Sequence, residues 1–85
     1  MNHQQIWQAI EKFARANNMS CSGLARLGGL DPTTFNKSKR WTKDGKPRWP
    51  STHSLAKILE CTGRNIKDFV AFLERDRAPE IWEDR

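Results

Sequence analysis

The first seventeen residues alternate between apolar and polar positions with the period of an α-helix. The apolar positions recur every three to four residues and share one face: Ile6, Trp7, Ile10, Phe13 and Ala14. The polar positions fall outside that face: Gln4, Gln8, Glu11, Lys12 and Arg15. The pattern predicts a first helix from about Gln4 to Asn17.

A short second helix is predicted next, closed by a glycine pair. Ser20 is a favourable N-cap, and the helix extends from about Cys21 to Gly28. Its apolar contacts are Leu24, Ala25 and Leu27. Gly28-Gly29 suits a left-handed C-cap, because glycine adopts positive φ at little steric cost. Leu30 then anchors the turn.

A third helix is predicted to begin at Pro32 and to reach Lys39 or Arg40. Asp31 can cap its first amides, and proline at the first helical position lacks only an N–H that has no partner there. Phe35 points inward, and the polar residues face away: Thr33, Thr34, Asn36, Lys37 and Arg40. Their hydroxyl, amide and amine groups suit the base edges of a DNA major groove.

Two more helices complete the predicted fold, a compact all-α domain of five helices over residues 1–74. Ser51 or Thr52 caps the fourth helix, and Gly63 ends it; its core-facing residues are Leu55, Ala56, Ile58 and Leu59. Asn65 caps the fifth, whose apolar residues are Ile66, Phe69, Val70, Phe72 and Leu73. Residues 75–85 are charged and interrupted by Pro79, which predicts a tail or linker.

Residues 41–50, between the third and fourth helices, are predicted to form a loop. Asp44-Gly45 is a strong turn signal and is compatible with a short hairpin. Three roles are open for the flanking Trp41 and Trp49. They can pack on each other or on the core, stack on a nucleic-acid base, or wedge against a sugar-phosphate backbone.

Length and composition exclude several classes of protein. The 85 residues make one small domain that cannot hold a large enzyme core, and no nucleophile motif is present, so we expect no enzymatic activity. No stretch approaches the roughly 20 apolar residues that span a bilayer. The first residues lack the pattern of a secretion signal. A cytoplasmic protein is expected.

No cofactor or metal is expected. Cys21 and Cys61 do not form the close pairs that structural zinc sites use, even together with His3 and His53. The cysteines are expected to be reduced and to act as small apolar residues. The histidines are expected to be polar surface residues.

The net charge of +5 is concentrated in one segment. Residues 37–48 carry six lysines or arginines against a single acid, Asp44, and the charges of the remaining residues cancel. A polyanion held there would release counterions, so its binding would depend on salt. The segment therefore indicates contact with nucleic-acid phosphates.

Three residues have the spacing that a helix-turn-helix unit requires. Ala25 is small where two helices cross, Gly29 permits a tight turn, and Phe35 returns an apolar side chain to the core. With these residues and the segment 50–59, the chain resembles the lambda-repressor-like (XRE-type) helix-turn-helix domains over about residues 4–74. Segments 31–40 and 48–51 are similar to the N-terminal domain of phage-type repressors, in which a LexA-like serine peptidase domain usually follows.

The resemblance implies a dimeric transcriptional repressor that binds a palindromic operator in double-stranded DNA. Residues 75–85 would then begin a linker to a peptidase-like domain in a longer chain. The implied base contacts are Thr33, Thr34, Asn36 and Lys37, and the implied phosphate contacts are Lys39, Arg40, Lys43, Lys46 and Arg48. Two features depart from the family: Ser38 occupies a position that is usually aliphatic, and the loop after the third helix is longer and more basic.

Two other functions remain open at this point. The same fold could serve as a protein-interaction module, antitoxin-like or an adaptor, with Ile81 and Trp82 as a docking patch. Alternatively, Trp41 and Trp49 could stack on the bases of RNA or of a single strand.

Overall fold

The computed structural model describes residues 1–74, which contain four α-helices and no β-strand beyond an isolated bridge. The helices are α1 (His3–Ala16), α2 (Cys21–Leu27), α3 (Thr52–Thr62) and α4 (Ile66–Glu74). The prediction of an all-α domain is confirmed, but the number of helices was wrong. The predictions about residues 75–85, including the docking patch at Ile81 and Trp82, lie outside the described residues.

Local side-chain bonds explain the two ends of α1. At its start, Asn2 and Gln5 form a capping box, with the Gln5 N–H donating to Asn2 Oδ1 at 2.8 Å. At its end, Asn18 adopts φ +61°, and the Met19 N–H donates to the Ala14 carbonyl at 3.0 Å. The helix begins one residue earlier than predicted and ends one residue earlier.

The second helix has the predicted caps. Ser20 Oγ accepts the Gly23 N–H at 3.1 Å. Gly29 takes the left-handed conformation (φ +72°), and the Leu30 N–H then donates to the Ala25 carbonyl at 2.9 Å. This turn directs the chain away from α2 toward Phe35.

The predicted third helix is not an α-helix. Residues 32–35 form successive turns, and only a short 3₁₀-helix follows at Lys37–Lys39. Asn36 between them is extended (φ −67°, ψ 153°), which interrupts any continuous helix. The α2 helix and its turn are therefore followed by an irregular segment, and the structure gives no recognition helix over residues 32–40.

Short-range hydrogen bonds account for this difference. Asp31 Oδ1 accepts both the Thr33 N–H (2.8 Å) and the Thr33 hydroxyl (2.6 Å), while the Thr34 hydroxyl donates to the Asp31 carbonyl (2.6 Å). Such bonds compete with helical ones. In addition, the polar and exposed Ser38 provides no second apolar anchor after Phe35.

The core lies where α1 packs against α2 and α4, and α2 against α3. Phe13 meets the rings of Phe69 and Phe72 edge-on, with centroids 5.7 and 6.1 Å apart. Phe35 is buried in the same cluster although its segment is irregular. The predicted inward orientation of Phe35 is thus confirmed without the helix that was expected to provide it.

One predicted core position of α3 was wrong. Ala56 is exposed, and Ser54 is buried instead. The Ser54 hydroxyl can be buried because it accepts a hydrogen bond from the Ser51 hydroxyl at 2.9 Å. On α4, Ile66 and Val70 face away from the core and are exposed.

Candidate nucleic-acid interface

Residues 40–48, which we call the basic hairpin, fold back on themselves after the 3₁₀-helix. The Arg48 N–H donates to the Arg40 carbonyl at 2.9 Å, and the Thr42 N–H donates to the Lys46 carbonyl at 2.8 Å. Gly45 has φ +80°, as the predicted turn at Asp44-Gly45 requires. The turn is confirmed, and the short hairpin that the sequence permitted is present.

The base of the basic hairpin is attached to the first turns of α1 by His3 and Trp7. His3 Nε2 lies 2.8 Å from the Arg40 carbonyl oxygen and 3.0 Å from that of Arg48. Both carbonyls can only accept, so we assign the imidazole proton to Nε2, which then cannot accept the Trp7 indole N–H that lies 3.1 Å away. Trp7 Nε1 donates to the same Arg48 carbonyl at 3.0 Å.

The His3 imidazole also packs between the two tryptophans of the hairpin region. Its centroid is 4.5 Å from that of Trp41 and 5.7 Å from that of Trp49. Each indole remains about half exposed, at 52% and 50%. The expectation that His3 is merely a polar surface residue was wrong, since it is partly buried at the centre of an aromatic cluster.

Arg40 has a different environment from the other cations of the segment. Its guanidinium pairs with Glu11 at 3.2 Å and donates to the Phe35 carbonyl at 3.2 Å, and it lies 5.1 Å from the centroid of the Trp7 ring. Only 13% of the side chain is exposed. The predicted phosphate contact of Arg40 stays a prediction, whereas its contacts inside the molecule are direct.

The remaining cations of residues 37–48 are exposed to solvent: Lys37, Lys39, Lys43, Lys46 and Arg48. Within residues 1–73, no carboxylate forms a salt bridge with any of them. The pKa of Asp31 is lowered, first by the hydrogen bonds from Thr33 and more weakly by the charge of Lys39. Residues 37–48 therefore present an excess of exposed positive charge.

The four predicted base contacts lie in the irregular segment next to these cations. Thr33, Asn36 and Lys37 are exposed, and Thr34 is partly buried. The Asn36 amide makes no capping bond to the 3₁₀-helix. Its donor and acceptor are therefore available to a base edge.

One surface groove brings together two of the four predicted base contacts, Thr33 and Thr34, and two of the five predicted phosphate contacts, Lys39 and Arg48. It has a volume of about 340 Å³ and is lined by Thr33, Thr34, Lys39, Arg48 and Trp49, among others. Sequence spacing could not show this proximity, because these residues come from two segments on either side of the hairpin. The groove brings both kinds of predicted contact within the reach of one ligand.

The described residues contain no candidate metal site and no disulfide. Among residues 1–74, no group of three or more His, Cys, Asp or Glu side chains could hold a metal ion. Cys21 and Cys61 are free thiols, and partial burial raises the pKa of each. No described helix has both the length and the apolar character needed to cross a bilayer.

No protein-family model, curated protein or solved structure matches this chain. The candidate function therefore rests on the geometry and charge of residues 31–51.

Proposed function

We propose that this chain binds double-stranded DNA in a sequence-specific manner and acts as a transcriptional repressor. One observation carries the proposal: Lys39 and Arg48, which form no salt bridge with an acid among the described residues, line the same groove as Thr33 and Thr34. The cations supply affinity for phosphates, which is independent of sequence, and the polar groups supply hydrogen bonds to bases. The resemblance of segments 31–40 and 48–51 to phage-type repressors is the sequence argument for this role, although residues 32–40 do not form the helix that the resemblance implied.

In this proposal, the segment 33–37 faces the major groove, and the basic hairpin follows the adjacent phosphates. Thr33, Thr34, Asn36 and Lys37 contact bases. Four of the phosphate contacts form no salt bridge with a described carboxylate: Lys39, Lys43, Lys46 and Arg48. Because Arg40 is paired with Glu11, four rather than five phosphates are covered, and the log–log salt slope is about −3 to −4 per protomer.

The proposed assembly is a homodimer on a palindromic operator. A two-fold dimer reads two half-sites whose centres are about one helical turn apart. Selection from random duplexes tests both parts of the proposal. We expect a palindromic consensus and binding that weakens steeply with salt.

Two results would contradict sequence-specific binding to duplex DNA. The first is the recovery of unrelated sequences after selection. The second is tryptophan quenching by oligo-dT that equals or exceeds quenching by duplex, since this would indicate a single-strand binder that uses Trp41 and Trp49.

A protein-interaction module is the second candidate, and one observation favours it. Ile66 and Val70 lie four residues apart on α4 and are 55% and 37% exposed. Residues at this spacing share a helix face, so they present an apolar surface to a partner. Absence of duplex binding at low salt would favour this function over DNA binding.

A further inference from the structure

We propose that His3 is a positioning residue for the basic hairpin, which it holds in the orientation that meets DNA phosphates. This inference rests on the proposed function. The supporting observation is that His3 Nε2 lies within 3.0 Å of the main-chain carbonyl oxygens at both ends of the hairpin, those of Arg40 and Arg48.

The basic hairpin needs such an attachment. A two-stranded hairpin is marginally stable in water by itself, and Trp41 and Pro47 form only an isolated bridge. Lys43 and Lys46 lie near its tip, on either side of the turn at Asp44-Gly45. A small rotation at the base therefore displaces these two cations by a much larger distance.

His3 and Trp7 bind the main chain at the base of the hairpin, and the Arg40 side chain adds contacts with Glu11 and Phe35. Of the two side chains that bind the main chain, only His3 can be replaced without loss of the core. Trp7 is 3% exposed and belongs to the hydrophobic cluster, whereas His3 is partly exposed at the first position of α1. The capping box of Asn2 and Gln5 does not involve the His3 side chain. His3→Ala should consequently leave α1 and the packing of the four helices intact.

The test uses the full chain with three variants. His3→Ala removes the ring, His3→Gln retains an N–H donor that can reach a carbonyl, and His53→Ala removes the other histidine, which is exposed on α3. The first measurement is amide hydrogen exchange without DNA. In His3→Ala we expect the Thr42 and Arg48 amides to exchange at least about ten-fold faster, with the Ile58 amide of α3 unchanged.

The second measurement is the Kd for a duplex of about 20 base pairs, determined at several salt concentrations from low to moderate. In His3→Ala, loss of the Lys43 and Lys46 contacts should reduce the salt slope by about 2 and raise Kd at least about ten-fold. His3→Gln should recover most of both quantities, and His53→Ala should match the wild type. A purely structural role would change the folded fraction and leave the salt slope as it was.

Each failure has a distinct meaning. Wild-type exchange at Thr42 and Arg48 in His3→Ala would overturn the positioning role. Faster exchange with an unchanged salt slope would overturn its link to phosphate contacts, and failure of His3→Gln to recover binding would overturn the role of the hydrogen bonds. A wild-type chain that does not bind duplex would instead refute the proposed function, while the exchange measurement would still show whether His3 places the hairpin.

Discussion

The Trp7 indole N–H donates to the Arg48 carbonyl at 3.0 Å, across 41 positions of the chain. The same indole is 3% exposed and packs in the hydrophobic cluster. One side chain therefore belongs both to the helical core and to the base of the basic hairpin. This shared residue links the stability of the domain to the position of its cations.

Trp7→Phe should show how much the hydrogen bond between Trp7 and Arg48 contributes to the stability of the domain. Phenylalanine retains much of the ring but removes the N–H. We expect a loss of about 1–3 kcal/mol in the free energy of unfolding, of which the hydrogen bond accounts for about 1 kcal/mol and the smaller ring for the rest. Urea denaturation measures the free energy of unfolding. Trp49→Phe, at a half-exposed indole, is the control and should remain within about 0.5 kcal/mol of the wild type; equal losses would contradict the prediction.

Arg40 and Lys43 should respond differently to replacement by alanine, although both are cations of the same segment. Arg40→Ala removes an ion pair with Glu11 and a cation–π contact with Trp7. It should reduce the free energy of unfolding by about 1–3 kcal/mol. Lys43→Ala should leave stability within about 0.5 kcal/mol and weaken duplex binding. Thermal unfolding and a binding titration of each variant separate the two effects, and identical behaviour would refute the distinction.

The glycine pair after α2 gives a matched test of backbone conformation. Gly28 has φ −79°, and an added Cβ would meet its nearest neighbours at an ordinary 3.6 Å. Gly28→Ala should therefore be neutral or stabilise the fold by up to about 1 kcal/mol. Gly29 has φ +72° with open space around it, so Gly29→Ala should cost about 1–2 kcal/mol from the left-handed backbone alone. Chemical denaturation distinguishes them, and a destabilised Gly28→Ala beside an unaffected Gly29→Ala would refute this assignment.

If the chain binds DNA as proposed, Asn36 and Lys46 should have separable roles. Asn36→Ala should cost about 1–3 kcal/mol on the selected site and relax the preference at one base pair. Lys46→Ala should weaken binding to all duplexes alike and reduce the salt slope by about 1. The measurement compares Kd for the selected site and for a scrambled duplex. Equal losses on both duplexes for Asn36→Ala would remove it from the set of base contacts.

Four of the five predicted helices agree with the structure to within one residue at each end. The agreement has a local cause, since Ser20, Ser51 and Asn65 lie at the predicted starts and Gly29 and Gly63 adopt the left-handed conformation at the ends. The helical period placed most of the core residues as well. It failed at Leu27 and Ala56, which are exposed, and the apolar series of α4 is only partly buried, since Ile66 and Val70 are exposed.

The candidate interface was less predictable from the sequence. The cations and the turn at Asp44-Gly45 were evident in the sequence, but the third helix was wrong because Asp31, Thr33 and Thr34 bond to one another rather than extend a helix. The burial of the Arg40 side chain inside the molecule was also not predicted. The aromatic and acidic residues that hold it are Trp7 and Glu11, which carry no signal of this contact in the local pattern.

The sequence by itself determined the four α-helices, their caps, the tight turn of the hairpin and the cationic segment, because each depends on residues a few positions apart. Only the tertiary structure decided where the basic hairpin lies and that Arg40, unlike its other cations, pairs with a described acid. The His3 contact with Arg48 joins residues 45 positions apart, and the Glu11 contact with Arg40 joins residues 29 positions apart. Such pairs meet only after the helices have packed, so no local pattern of the chain encodes them visibly.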